Sequence, residues 1–196
     1  MDQGRQPVIV LGIDPGTNLC GYGVVELREG EMSVLAAGTL DLHRIEDRYY
    51  RLGHLLERME SIVNTFGPTQ VALESAFYGK NAQSMVKLGR AQGVAMAVAA
   101  RHGLPVAEYP PREVKKAITG LGGASKAQVA QMLEGILRCR LDFPTEDASD
   151  GLAVAVCHCL SLLSPIPKPR GSKAHSKSHS RNWGEFVKNN PDLIVD

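Results

Sequence analysis

The ten residues Pro7-Val8-Ile9-Val10-Leu11-Gly12-Ile13-Asp14-Pro15-Gly16 decide how the chain folds. Positions 8–13 are apolar apart from one glycine, and a run of that length without polar alternation predicts a central strand covered on both faces. Pro15-Gly16 ends it, so Asp14 stands at the strand's C-terminal end, where open sheets concentrate their ligand sites. A carboxylate placed directly after such a run is a candidate for chemistry rather than for solubility.

Outward from this strand, Cys20 to Arg28 and Met32 to Leu40 are rich in β-branched and small residues and are separated by Glu29-Gly30-Glu31, which predicts an antiparallel meander. At Ile45 the period changes. Ile45, Tyr49, Leu52, Leu55, Leu56, Met59, Ile62, Val63 and Phe66 recur every three or four residues, predicting an amphipathic helix over 44–66 that Gly67-Pro68 stops. A strand at Gln70 to Glu74, a helix at Asn81 to His102 and a strand at Pro105 to Tyr109 follow. Helices then occupy Pro111 to Thr119, Ser125 to Arg140 and Glu146 to Leu163. The order predicts an α/β fold, a mixed five-stranded sheet with helices on both faces.

The chain has 196 residues and 43% hydrophobic side chains, enough for one core, and we expect one domain over 1–163. Residues 164–196 differ. Pro165 to Arg181 is rich in Pro, Ser, Gly and Lys without an acidic residue, which predicts a flexible basic tail; its far end carries the only tryptophan, Trp183, close to Phe186. No window approaches the ~18–20 apolar residues of a membrane span and no secretory run follows Met1 to Gln6, so a cytoplasmic protein is expected. Cys157-His158-Cys159 lacks a second ligand pair at zinc spacing, so the four cysteines are expected to be reduced thiols.

The formal net charge of +1 hides an uneven distribution. Residues 80–126 carry eight basic and two acidic side chains, among them Lys80, Lys87, Arg90, Arg112, Lys115, Lys116 and Lys126. Each alone reads as a solvated charge; together they predict a surface that follows phosphates.

Three further acids join Asp14. Glu74 ends the fourth strand, so it shares an edge of the sheet with Asp14 if the two strands are neighbours. Asp147 and Asp150, three apart at the start of the last helix, share one face of its first turn. Acids there also offset the helix dipole and cap free N–H groups, and that reading stands beside the functional one. Four carboxylates from three elements could hold two Mg²⁺ ions for phosphodiester hydrolysis. Phe77-Tyr78 follows Glu74; Phe77 is either packed inside or exposed to stack on unpaired bases. Gly12-Ile13-Asp14-Pro15-Gly16-Thr17 also suggests the phosphate hairpin of sugar kinases and actin-like ATPases, but those need a second lobe and a second hairpin. Gly89, Gly93 and Ala97 recur every fourth residue on the second helix, leaving a smooth face for another helix or for the chain's own sheet.

Four motifs then occur in one order: Gly12-Ile13-Asp14-Pro15-Gly16-Thr17 with Gly21-Tyr22-Gly23, Glu74-Ser75-Ala76-Phe77 with Lys80-Asn81, Leu88-Gly89-x-Ala91-x-Gly93-Val94, and Asp147-Ala148-Ser149-Asp150-Gly151-Leu152-Ala153. From Val8 to Leu160 the chain resembles the RuvC family of bacterial Holliday-junction resolvases. The resemblance implies a ribonuclease H-like fold and a homodimeric crossover junction endodeoxyribonuclease. Such an enzyme nicks four-way junction DNA in symmetric pairs during homologous recombination and DNA repair, using two Mg²⁺ ions per subunit and cooperating with RuvA and RuvB. It implies that Asp14, Glu74, Asp147 and Asp150 bind the metals and that Phe77 contacts bases near the crossover. It implies too that Lys115 and Lys126 lie near the scissile strands, and Lys80 is expected on the same DNA-binding surface. Gly151 stands where the family pattern has alanine, a departure expected to loosen the helix start, and the tail matches none of the motifs. A ribonuclease H-like nuclease acting on RNA or RNA–DNA hybrids, or a junction-binding protein with little cleavage, are the alternatives.

Overall fold

A computed structural model of the chain describes residues 6–75, 82–141 and 146–164, with the backbone alone at Ala82, Ser84, Glu146 and Asp147. Five strands, β1 (Val8–Asp14), β2 (Leu19–Arg28), β3 (Glu31–Asp41), β4 (Gln70–Glu74) and β5 (Val106–Tyr109), form one sheet in the order β3-β2-β1-β4-β5. The first three make the antiparallel meander, while β4 and β5 run parallel to β1. β1 is therefore central, as its apolar run requires.

Helices α1 (Arg48–Phe66) and α2 (Ala82–Arg101) cover one face, where Leu55, Met59, Ala91, Ala95 and Val98 pack on Leu11, Ile13, Val24, Val71 and Leu73. Helices α3 (Pro111–Thr119), α4 (Lys126–Leu137) and α5 (Glu146–Leu163) cover the other, where Val114, Ile118, Leu133 and most of α5 pack on Val10, Val25 and Ala72. Successive β1 residues serve opposite layers, the period of two expected of a strand.

Two helix boundaries differ from the periodicity. α1 begins at Arg48, not 44, because the Asp47 carboxylate accepts the N–H groups of Tyr49 (2.7 Å) and Tyr50 (3.1 Å), while Ile45 N–H donates to Leu42 O in a preceding turn. α4 opens on a capping box between Ser125 and Gln128 and ends at Leu137, because Arg138 adopts a left-handed φ of 51°.

What places α5 is a contact between backbones. A Cβ on Gly12 of β1 would lie 2.3 Å from Ala155 N, and one on Gly23 of β2 2.4 Å from Leu152 Cα. From the helix side, a Cβ on Gly151 would lie 2.4 Å from Tyr22 N and 2.5 Å from Gly21 C. Three glycines thus let the helix axis come closer to the sheet than ordinary side chains allow. The structure gives Gly151 a role beyond any effect on the helix start: its missing Cβ permits the close seat, and an alanine there would push α5 away. Farther along α5, buried His158 reaches Tyr109 Oη (2.7 Å) on β5 and Gln70 Oε1 (2.6 Å) on β4, tying the helix to the other half of the sheet.

Phe77 and Lys80 fall outside the described residues, as does the tail beyond Ser164. On α2, Gly89, Gly93 and Ala97 are exposed, and a Cβ on either glycine would meet nothing within 4 Å. The small-residue face turns to solvent, and the opposite face, with Ala91 and Ala95, is the one packed inward. Among the described residues no helix is long and apolar enough to cross a membrane.

Candidate active site

The topology brings the acids together at one edge of the sheet. Ile13 and Leu73 are partners in the parallel β1–β4 ladder, so Asp14 and Glu74 leave the sheet side by side. Asp14 also faces Gly21 across the antiparallel ladder, and Gly21 is the residue on which Gly151 rests. Asp150, one residue earlier on α5, is thereby carried to Asp14. The glycine seat is thus a positioning device for the third carboxylate. Asp147 belongs to the first turn of the same helix, one turn before Asp150.

The electrostatics confirm the convergence. Glu74 is pushed up from 4.5 to about 8, first by burial and then by the negative charges of Asp14 and Asp150; Lys115 and Lys126 pull it the other way. Five side chains from β1, β4, α3, α4 and α5 therefore share one field. Lys126 Nζ donates to Asp150 Oδ2 at 2.7 Å. Of the basic residues in the 80–126 window, Lys115 and Lys126 are those that the structure ties to the acids, while Lys87, Arg90, Arg112 and Lys116 are exposed farther out.

Among the described residues, to which the Asp147 side chain does not belong, no three His, Cys, Asp or Glu side chains are gathered closely enough to hold a metal as they stand. The donor chemistry nonetheless suits a hard divalent cation. Asp14, Glu74 and Asp150 offer oxygen ligands only, and burial of Glu74 together with the charges of Asp14 and Asp150 holds its carboxyl protonated near neutral pH, a strain that a cation would relieve. The cysteines offer no competing site. Cys20, Cys157 and Cys159 are buried and in no disulfide, and burial pushes the Cys20 and Cys159 thiols up to about 12, far from the thiolate that metals require.

Sequence reading missed the roles of Gly12, Gly23 and Gly151. For Gly12 and Gly23 a signal was there, since glycine inside an otherwise apolar strand marks a close approach of another backbone. It also missed the Gln70–His158–Tyr109 brace, for which no local pattern exists.

The family model for "Crossover junction endodeoxyribonuclease RuvC" matches residues 10–158. Proteins of that name from Porphyromonas gingivalis and Bacteroides fragilis are 43% and 44% identical to this chain over 188 and 194 residues. The two matches span 95% and 96% of this chain and 96% and 98% of theirs, so both run well past Ser164 and the tail is not peculiar to this chain. Among solved structures, Thermus thermophilus RuvC in complex with a Holliday junction substrate superposes with a TM-score of 0.73 at 31% identity, covering 79% of this chain and 94% of that one. The sheet order, the covering of both faces and these likenesses agree on a ribonuclease H-like fold, and the chain belongs to the RuvC family of crossover junction endodeoxyribonucleases.

Proposed function

We propose that this chain resolves Holliday junctions by nicking two strands of like polarity in homologous recombination and repair, with Asp14, Glu74, Asp147 and Asp150 holding two Mg²⁺ ions. The observation that carries this reading is the meeting of Asp14, Glu74 and Asp150 at one sheet edge in a field that keeps Glu74 protonated up to about pH 8. Bound there, Mg²⁺ would supply Lewis-acid polarisation of the scissile phosphodiester. The chain's own residues do the rest. Half-buried Glu74 and the glycine-seated Asp150 orient the ligand set beside Asp14. Lys115 and Lys126 offset the carboxylate charge so that a phosphate can approach, and Lys126 holds Asp150 in one rotamer meanwhile.

The family resemblance assigns base contacts to Phe77 and extends the basic surface to Lys80. Residues 1–163 form the nuclease domain in this reading, and 164–196 form a basic arm adding salt-sensitive affinity. An enzyme of chromosomal junctions works in the cytoplasm, with RuvA and RuvB as its partners in branch migration.

Incubation with a four-way junction, an RNA–DNA hybrid and a linear duplex, each with Mg²⁺ and with EDTA, tests the reading. We expect metal-dependent nicks in the junction alone. Cutting of the hybrid would point to a ribonuclease, and junction binding without cutting to a binding protein.

Paired nicking needs two active sites, and one chain has one. We infer a two-fold homodimer that uses the exposed Gly89–Gly93–Ala97 face of α2, where a second helix can approach closely. Because the position is open, Gly93→Leu should fold normally yet sediment as a monomer, with at least ~10-fold weaker junction binding and uncoordinated nicks. A variant that is still dimeric would exclude this interface.

A further inference from the structure

The connection between α3 and α4 holds a leucine out to solvent, in the segment between the two lysines that act on Glu74. Leu121 is 63% exposed, in a stretch otherwise made of Gly120, Gly122, Gly123, Ala124 and Ser125. A single exposed leucine needs no explanation by itself. This one is held in place. The Thr119 hydroxyl accepts Leu121 N–H (3.1 Å) and lies within hydrogen-bond distance of both Leu121 O (3.0 Å) and Lys115 O (2.8 Å). Ala124 N–H donates to Leu121 O at 3.2 Å, and Gly120 takes the left-handed φ of 79° that ends α3. On the far side, Gly122 lies close against Arg112, 3.3 Å from its carbonyl to where a Cβ would stand. The backbone around the leucine is thus tied on both sides, so the residue is not carried on a loose loop.

Its position relative to the site follows from the roots of the loop. Lys115 lies six residues before Leu121 and Lys126 five after, and both act on Glu74. Five extended residues reach at most ~17 Å, about five base-pair steps at ~3.4 Å each, which keeps Leu121 within a few base pairs of any phosphate that Lys126 approaches. Around it Arg112, Lys115, Lys116 and Lys126 supply phosphate-binding charge. An apolar side chain on a tied backbone among such cations is suited to enter a base step and partly unstack it.

We propose that Leu121 is a wedge that presses between base pairs beside the scissile phosphate and opens the duplex there. The proposal rests on the resolvase reading and names a second point of DNA distortion, on an element separate from Phe77. It makes Leu121 a residue that selects distortable junctions rather than one that touches the reacting atoms.

The test compares Leu121→Ser and Leu121→Met with wild type on an intact junction and on one with unpaired bases at the exchange point. A 2-aminopurine placed beside the nick site reports unstacking in EDTA. Because the side chain is exposed, Leu121→Ser should melt at the wild-type temperature. We expect it to cut the intact junction ~10- to 100-fold more slowly, to recover to within ~3-fold on the opened one, and to lose the 2-aminopurine signal. Leu121→Met should retain all three properties. Wild-type cutting by Leu121→Ser, which a protein-docking role for this residue would also give, overturns the wedge, as does an equal loss on both substrates. Failure of the resolvase reading shows separately, as absence of metal-dependent nicking by the wild-type chain, and removes the wedge with it.

Discussion

Asp14→Asn should reduce junction nicking at least ~10³-fold, on the order of 4 kcal/mol of transition-state stabilisation, while junction affinity stays equal or rises. The two halves of this expectation have one cause. Asp14 leaves the sheet beside Glu74 and is the larger of the two negative charges raising the Glu74 pKa, so it is a main part of the negative field that a metal would neutralise. Without metal, the same field repels a polyanion, and removing one charge from it eases DNA binding. Gel shifts in EDTA and single-turnover nicking in Mg²⁺ separate the effects. If affinity fell together with rate, Asp14 would be acting in binding; if rate were unchanged, the assignment of the site would be wrong.

Glu74 gives the second large effect, through pH. Its pKa in the folded, metal-free chain is about 8 against an ordinary 4.5, so the folded state holds a proton that the unfolded state releases. The stability this group contributes is fully present below about pH 4.5, declines as pH rises, and is lost above about pH 8. Discounted for the part of the side chain that water reaches, the loss amounts to about 2 kcal/mol, or ~4–8 °C in Tm for a chain of this size. In EDTA, Glu74→Gln should therefore melt several degrees above wild type at pH 8.5 and level with it at pH 4.5. Mg²⁺ should abolish the difference at pH 8.5, because a bound cation stabilises the ionised carboxylate. The Mg²⁺ concentration for half-maximal nicking should rise by up to ~10-fold for each pH unit below 8, since metal and proton compete for the same oxygens. Melting curves of the two proteins that coincide at every pH would show that Glu74 is not the strained carboxylate described here.

Much of the fold was legible because periodicity is a local property. The apolar run of β1 required cover on both faces, the change of period at Ile45 announced α1, and Pro111 and Glu146 opened helices where expected. The errors at Arg48 and Arg138 came from caps. Asp47 and a left-handed backbone at Arg138 cut helices short inside stretches whose apolar spacing continued beyond them. The acids at positions 14, 74 and 150 could be named from where they stood at element ends, and the basic window between 80 and 126 from charge counting.

Which of those charges meet is a different matter, decided by strand order and by how closely one helix can lie on the sheet. The pairing of Ile13 with Leu73 sets Asp14 beside Glu74, and it depends on β4 choosing β1 as its neighbour, a long-range event with no local signature. The approach of Asp150 depends on three glycines from three elements whose missing Cβ atoms lie along one helix–sheet contact, and Gly151 has no local signature of that role because its neighbours there, Gly21 and Tyr22, are far away in sequence. The raised Glu74 pKa and the choice of Lys115 and Lys126 from eight basic residues have the same origin. Electrostatic coupling falls off with distance through space, and residues 14, 74, 115, 126 and 150 acquire short distances only when the tertiary structure forms.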